Sequence, residues 1–188
     1  INKDRSDVLG KGVNRVTKFC AARFDGKVPG EGQYGQTEEF LIIEIQTRVD
    51  AYTQFLEDAE FRKALTTLRA IWAIANEYVT NVAPWTHIKT DRARAAVGVR
   101  MGLNLVHLFA HLSWPVMPSM AKTIHEAIQP VGYRNGVINW PDMLMADYLD
   151  QLEAGQPIAA PDVLISKITE DQIAEWRARF GGLNSGAP

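Results

Sequence analysis

Three groups of residues in this sequence have the types and spacing to do chemistry, and each also has a plain structural reading. The first is a polar stripe of Asp7, Lys11, Arg15 and Lys18, recurring at steps of four and three, so that neighbours lie one helical turn apart. Such a stripe can offer donors and charge to a ligand. On an isolated helix it is a solvated face, with Asp7 and Lys11 an ordinary ion pair. The second is Trp85, directly after Pro84. A Trp held at a junction between helices is either a core anchor or a rigid stacking plate. The third is the pair His107 and His111, four residues apart. Two imidazoles on one helix face can share a metal, but two ligands are an incomplete site and no carboxylate lies nearby in sequence on that face. The pair therefore reads as hydrogen-bonded groups on a polar seam, and no metal is expected. Cys20 falls on the apolar face of its helix and reads as core, not as a nucleophile. The sequence contains no phosphate-binding glycine loop, paired cysteines, GxSxG or HExxH, so no catalytic residue is assigned.

The elements that must position these residues are helical. Asp4 to Phe24 reads as an amphipathic helix with Leu9, Val13, Val16, Cys20 and Phe24 on its apolar face. Gly10 and Gly12 lie inside it, each costing about 1 kcal/mol relative to Ala unless a neighbour needs the close approach. After a Gly- and Pro-rich loop from Gly26 to Gly35, Thr37 is expected to cap a second helix, with Glu38 and Glu39 at its positive end. That helix offers Phe40, Ile43, Ile45, Val49, Tyr52 and Leu56 to the core. A third carries Leu65, Leu68, Trp72, Ala75, Val79 and Val82 on one face and must stop near Ala83, because Pro84 disfavours helical geometry in the residue before it. Thr90 is the expected cap of a fourth helix that is apolar almost all round from Ala95 to Trp114. Its polar interruptions, Arg100, Asn104, His107 and His111, share one face. Pro118 starts a further short helix through Ile128.

Beyond Pro130 the pattern is irregular: a loop from Gly132 to Pro141, a short helix within Trp140 to Leu152, a linker or extended return from Gly155 to Asp162, and a short extended segment, DVLISKI. Thr169 and Gln172 then form a capping box for a last helix, Glu170 to Phe180, with Ile173, Trp176 and Phe180 on one face. No strand period persists through the first 128 residues. The fold class is all-α, an antiparallel helical bundle over residues 1–130 with a C-terminal extension over 131–188 that ends in a short helix at 170–180.

Composition limits the partners. The 188 residues carry a net charge of −2, so nucleic-acid binding would need a local basic patch on a near-neutral body. The single cysteine excludes an internal disulfide and fits a reducing compartment. No apolar run reads as a membrane span and no signal peptide is seen. The chain begins with Ile1, and is expected to be a piece of something longer.

Four segments resemble the anticodon-binding domain of methionyl-tRNA synthetases: DVLGKGVNRVTKF at Asp7 to Phe19, RFDGKVP at Arg23 to Pro29, NEYVTNVAPWTHIKTD at Asn76 to Asp91, and LISKITEDQIAEWRARFGG at Leu164 to Gly182. Their order and spacing cover nearly the whole chain. The resemblance implies a helical bundle of the class I synthetase anticodon-binding type. It also implies that Trp85, preceded by Pro84, faces Arg15 to read the CAU anticodon of tRNA(Met). Lys11 stands where the family has Asn, and Asp7 at an Asn position one turn earlier. Asn makes directional contacts to base edges whereas Lys is a point charge, so discrimination is expected to suffer more than affinity. Nothing resembles the HIGH or KMSKS signatures of the catalytic half. The implied setting is a cytoplasmic ATP-dependent ligase, its ATP bound by a catalytic domain outside this chain, with neither DNA nor membrane as a partner. The competing reading is a free-standing interaction or regulatory module that kept the bundle.

Overall fold

The computed structural model describes residues 11–128, 138–161 and 169–180. Its helices are α1 (Lys11–Arg23), α2 (Gln36–Glu57), α3 (Phe61–Val82), α4 (Pro84–His87), α5 (Arg92–Ser113), α6 (Pro118–Ile128), α7 (Met145–Tyr148) and α8 (Glu170–Phe180). Among the described residues there is no β-strand, only an isolated bridge between Lys27 and Pro157, so the all-α expectation holds. The parts of the sequence reading that fall on residues 1–10, 129–137, 162–168 and 181–188 lie outside the described residues. They include Asp7, the first turns expected of the first helix, and DVLISKI.

The axis of the bundle is α5. Every residue from Ala95 to Ser113 except Arg100 is buried, against α1, α3, α4 and α6. By length and a mean hydropathy of 1.3 this helix would also pass as a membrane span, contrary to the sequence reading, but 94% of that stretch is buried inside the protein. Its apolarity is that of a core helix wrapped by its neighbours.

Two helix registers differ from expectation. On α2 the buried positions are Leu41, Ile45, Val49 and Tyr52, whereas Phe40 and Ile43 are each 63% exposed. The helix begins at Gln36 with Gly35 as its cap, so Thr37 lies inside the helix. Glu38 is buried, and its Oε2 accepts a hydrogen bond from the Gly35 N–H at 3.1 Å. On α5 the cap is Asp91 and not Thr90: the Asp91 carboxylate accepts from the Arg94 N–H at 2.9 Å. Both misses have one cause. Capping residues stood within one turn of each other, and local hydrogen bonds, from Gly35 N–H to Glu38 and from Arg94 N–H to Asp91, fix where each helix begins. On α3, Leu68, Trp72, Ala75, Val79 and Val82 are buried as expected, while Leu65 lies at the exposed margin.

Gly12 shows what its missing side chain is for. A Cβ there would collide with the Asn76 side chain, so the glycine lets α1 approach α3 closely. Glu38, Tyr78 and Arg94 tie three helices together. Glu38 Oε1 accepts from the Tyr78 hydroxyl at 2.7 Å and from the Arg94 guanidinium at 2.7 Å, joining α2, α3 and α5 at a buried carboxylate.

The polar face of α5 docks the irregular segments. Arg100 donates to the carbonyls of Pro29, Glu31 and Gly32. The Asn104 side-chain oxygen accepts from the Leu152 N–H at 3.2 Å, and His111 Nδ1 donates to the Asn139 carbonyl at 2.7 Å. Met145, Tyr148, Leu149 and Leu152 join the same hydrophobic core as the helices. The return from Gly155 is extended: the Val28 N–H donates to the Gln156 carbonyl at 2.9 Å, and the Gly155 and Ile158 N–H groups donate back to the carbonyls of Val28 and Gly26. The last helix has the expected reciprocal cap, Thr169 N–H to Gln172 Oε1 at 2.9 Å and Gln172 N–H to Thr169 Oγ1 at 3.2 Å. Its apolar edge is not buried; Trp176 is 44% and Phe180 70% exposed.

Candidate nucleic-acid interface

The α3–α4 junction sets the position of Trp85. Helix α3 ends at Val82, and Ala83 adopts left-handed geometry at φ 41, ψ 61. Pro84 then opens α4, where its fixed φ suits a first helical position. Thr86 secures the turn, its hydroxyl and its N–H both donating to the Ala83 carbonyl, at 2.7 and 2.9 Å. Pro84 is buried. It and Val82 sit over Gly98 of α5, where a Cβ would come within 2.7 Å of a Val82 methyl. The junction is thus pressed against the central helix, and Trp85 emerges from it half-buried.

Arg15 comes from the exposed face of α1, as expected of the polar stripe. Its guanidinium carbon lies over the indole, 3.4 Å from the ring centroid, in cation–π range. Phe19, one turn further along α1, meets the indole in a T-shaped contact, with centroids 6.4 Å apart and planes at 86°. Phe24 follows at 6.4 Å from Phe19, and the Arg92 guanidinium lies 4.7 Å over Phe24. The result is a row of three aromatic rings with an arginine at each end. Trp85 is neither of the sequence alternatives in pure form. It packs against the core while remaining half-buried, and the exposed Arg15 lies over its ring.

The structure therefore brings together Arg15, Trp85 and Pro84 of the expected residues. Lys11 is the first residue of α1, one turn before Arg15; its side chain, like Asp7, lies outside the described residues. Phe19 and Arg92 were not foreseen. Phe19 had a signal, since it follows Arg15 by four residues on the same helix. Arg92 had none, because its partner Phe24 is remote in sequence. Exposed Arg15 and Lys18 supply local positive charge on a body whose net charge is −2.

A second cluster lies in the interior. His107 and His111 sit on the polar seam, as expected, but α6 adds His125, and all three are buried. His111 Nε2 lies 3.3 Å from His125 Nδ1. Tyr148 stacks on His107 at 5.5 Å between centroids. Burial, reinforced by the neighbouring imidazoles, holds His107 well below the ordinary histidine range. Burial lowers His111 to about 4, against the opposing pull of its bond to the Asn139 carbonyl. Cys20 is buried, its thiol pushed up to about 11 by burial, which suits a core residue and not a nucleophile.

A helical bundle with an arginine over an indole at a helix junction defines the architecture, and its fold is that of a known group. The structure superposes on methionyl-tRNA synthetase of Mycobacterium tuberculosis in its free state with a TM-score of 0.74, at 20% identity, over 89% of this chain and 33% of that one. A second structure of that synthetase, bound by methionyl-adenylate, gives a TM-score of 0.73. The sequence profile of the anticodon binding domain of methionyl tRNA ligase matches residues 28–185, and the chain belongs to that family. It is 44% identical over 185 residues to a methionine–tRNA ligase of Ruegeria pomeroyi and 45% identical over 186 residues to one of Caulobacter sp. strain K31. It covers 98% and 97% of itself in these matches but only 31% of each relative. The chain thus spans about a third of the length of the relatives it matches.

Proposed function

We propose that the Arg15–Trp85 face reads the unpaired CAU anticodon of tRNA(Met) for a methionyl-tRNA synthetase. Methionyl transfer and ATP use belong to a catalytic domain of that enzyme, acting in the cytoplasm. The observation that carries this reading is the guanidinium of Arg15 at 3.4 Å over a half-buried Trp85. Unpaired bases are recognised by stacking on aromatic faces and by hydrogen bonds along their edges. Trp85 offers the face. Arg15 swings off the ring as a base arrives and gives its fork of donors to the base edge or the phosphate. Lys11, one turn earlier, adds charge without the directionality of Asn, and Pro84 holds the plate still. Asp7, eight residues before Arg15 in the sequence, stands at the other family Asn position. The apolar edge of α8, with Trp176 and Phe180 exposed, is the surface on which we place the catalytic domain.

The test is a salt-dependent binding measurement with tRNA(Met) and with the same tRNA carrying a changed anticodon. Preference for CAU is expected, with an affinity that falls as salt rises. Equal binding of the two at every salt concentration overturns anticodon reading and leaves purely electrostatic attachment.

A further inference from the structure

Among the described residues, His107, His111 and His125 offer one ligand nitrogen each, all within 4.8 Å of one another. We propose that these three imidazoles form a site for one divalent d-block cation, zinc in the first instance, with a water or hydroxide in the fourth position. Neither anticodon reading nor methionyl transfer requires it. Its role is to pin α6 and the segment around Asn139 to the central helix.

The geometry is close to what such an ion needs. Three imidazole nitrogens held tetrahedrally about 2.0–2.1 Å from zinc lie about 3.4 Å apart, with ring centroids about 5 Å apart. Here His111 Nε2 and His125 Nδ1 are 3.3 Å apart. The three ring centroids are separated by 4.6, 5.3 and 6.1 Å. All three ligand nitrogens lie within 4.8 Å of one another, and one pair is already at the separation zinc requires. The scaffold is stiff: His107 and His111 are one turn apart on α5, the most buried helix, and His125 is on α6, packed against it.

The surroundings orient the rings as metal ligands are oriented. His111 Nδ1–H donates to the Asn139 carbonyl at 2.7 Å, which leaves the lone pair on Nε2, the nitrogen facing His125. His107 is held against the Tyr148 ring, with planes 17° apart. Its Nδ1 lies 3.3 Å from the Gln151 amide. An amide presents both a donor and an acceptor, so Gln151 can satisfy either tautomer of His107 by turning over. A hydroxide in the fourth position removes one of the two charges brought into the interior. The competing arrangement is a chain of neutral, hydrogen-bonded imidazoles with no ion.

The protein, stripped with a chelator and dialysed, is titrated with Zn²⁺ and separately with Co²⁺. Metal content after gel filtration, the visible Co²⁺ spectrum and Tm are read. One equivalent per chain, an intense tetrahedral Co²⁺ spectrum and a Tm raised by several degrees are expected. His125→Gln and His111→Gln should each weaken binding by at least about tenfold. His87→Gln, changing the one histidine outside the cluster, should leave it intact. Wild-type protein that retains no stoichiometric metal overturns the site. So does a folded His125→Gln variant that binds as tightly as wild type, or loss of binding in His87→Gln. Should His125→Gln not fold, imidazole nitrogen shifts of the wild type with and without Zn²⁺ decide it, and unchanged shifts at all three rings overturn the proposal.

Discussion

Arg15 and Arg94 each lay a guanidinium against a neighbouring helix, but in opposite settings. Arg94 reaches a carboxylate, Glu38, that is 1% exposed and already bonded to Tyr78 and to the Gly35 N–H. The Glu38 carboxylate there takes three hydrogen bonds, from Tyr78, Arg94 and the Gly35 N–H, and so ties three helices together. Arg15 rests on an indole and, among the described residues, has no hydrogen-bond or ion-pair partner. Stacking satisfies its flat face and leaves its donors in water. A closed set of charges specifies the fold, whereas an open set on a stiff ring is free to meet a ligand. The comparison is sharp because the two arginines share a chemistry and differ only in what surrounds them.

The largest test breaks the closed set. Glu38→Ala leaves the Tyr78 hydroxyl and a partly buried guanidinium without their acceptor, and should cost about 3 kcal/mol in urea unfolding. Affinity for tRNA per folded molecule should be unchanged. The same site predicts an acid response. Burial alone would raise the Glu38 carboxyl, but hydrogen bonds from Tyr78, Arg94 and Gly35 outweigh it and hold the group below the ordinary carboxylate value. Its stabilising effect is therefore present above the unfolded pKa of about 4.3 and is lost as pH falls through the lower folded value. Unfolding free energies measured from pH 7 downward should show that loss in the wild type and a flatter acid limb in Glu38→Gln.

Trp85→Ala tests the open set. It should cost about 1–3 kcal/mol of tRNA affinity, the worth of one stacked base. Its stability loss should fall below the about 3–5 kcal/mol of a fully buried aromatic, since the residue is half-buried. A large fall in Tm with unaltered affinity per folded molecule would place Trp85 with Glu38 as a structural residue. The smallest effect is at Lys11. Replacing it with Asn should raise the matched-to-mismatched anticodon ratio by about 1 kcal/mol, seen in competition binding. An unchanged ratio would remove Lys11 from the reading site.

Much of the bundle was legible in the sequence, for reasons that vary by residue. The 3.6-residue period on α3 and the near-continuous apolar run of α5 gave both helices, because burial of one face or of all faces leaves that mark. Pro84 gave the junction, because proline acts on local geometry alone. The face of α2 was misread because Phe40 and Ile43 are large and apolar yet exposed, and hydrophobicity says nothing about which neighbour is absent. Glu38 looked like a helix-dipole residue because its partners, Tyr78 and Arg94, are 40 and 56 positions away. His125 was passed over for the same reason: one histidine on an amphipathic helix carries no sign of two others on the helix beside it. At the candidate interface, the Arg15–Trp85 pair was named only through the family resemblance, since no local pattern links positions 70 residues apart.

Ala83 has one more consequence. A left-handed residue with a Cβ, locked between the end of α3 and the ring of Pro84, leaves the indole of Trp85 with its direction settled when the chain folds. A glycine there would let the ring sweep a cone of directions, and each encounter would have to select one. With alanine the backbone that carries the ring is set in advance, and on the proposed reading only the Arg15 side chain has to move. On that reading, the rate at which an anticodon docks is then limited by how readily its own bases unstack and by how quickly Arg15 leaves the ring.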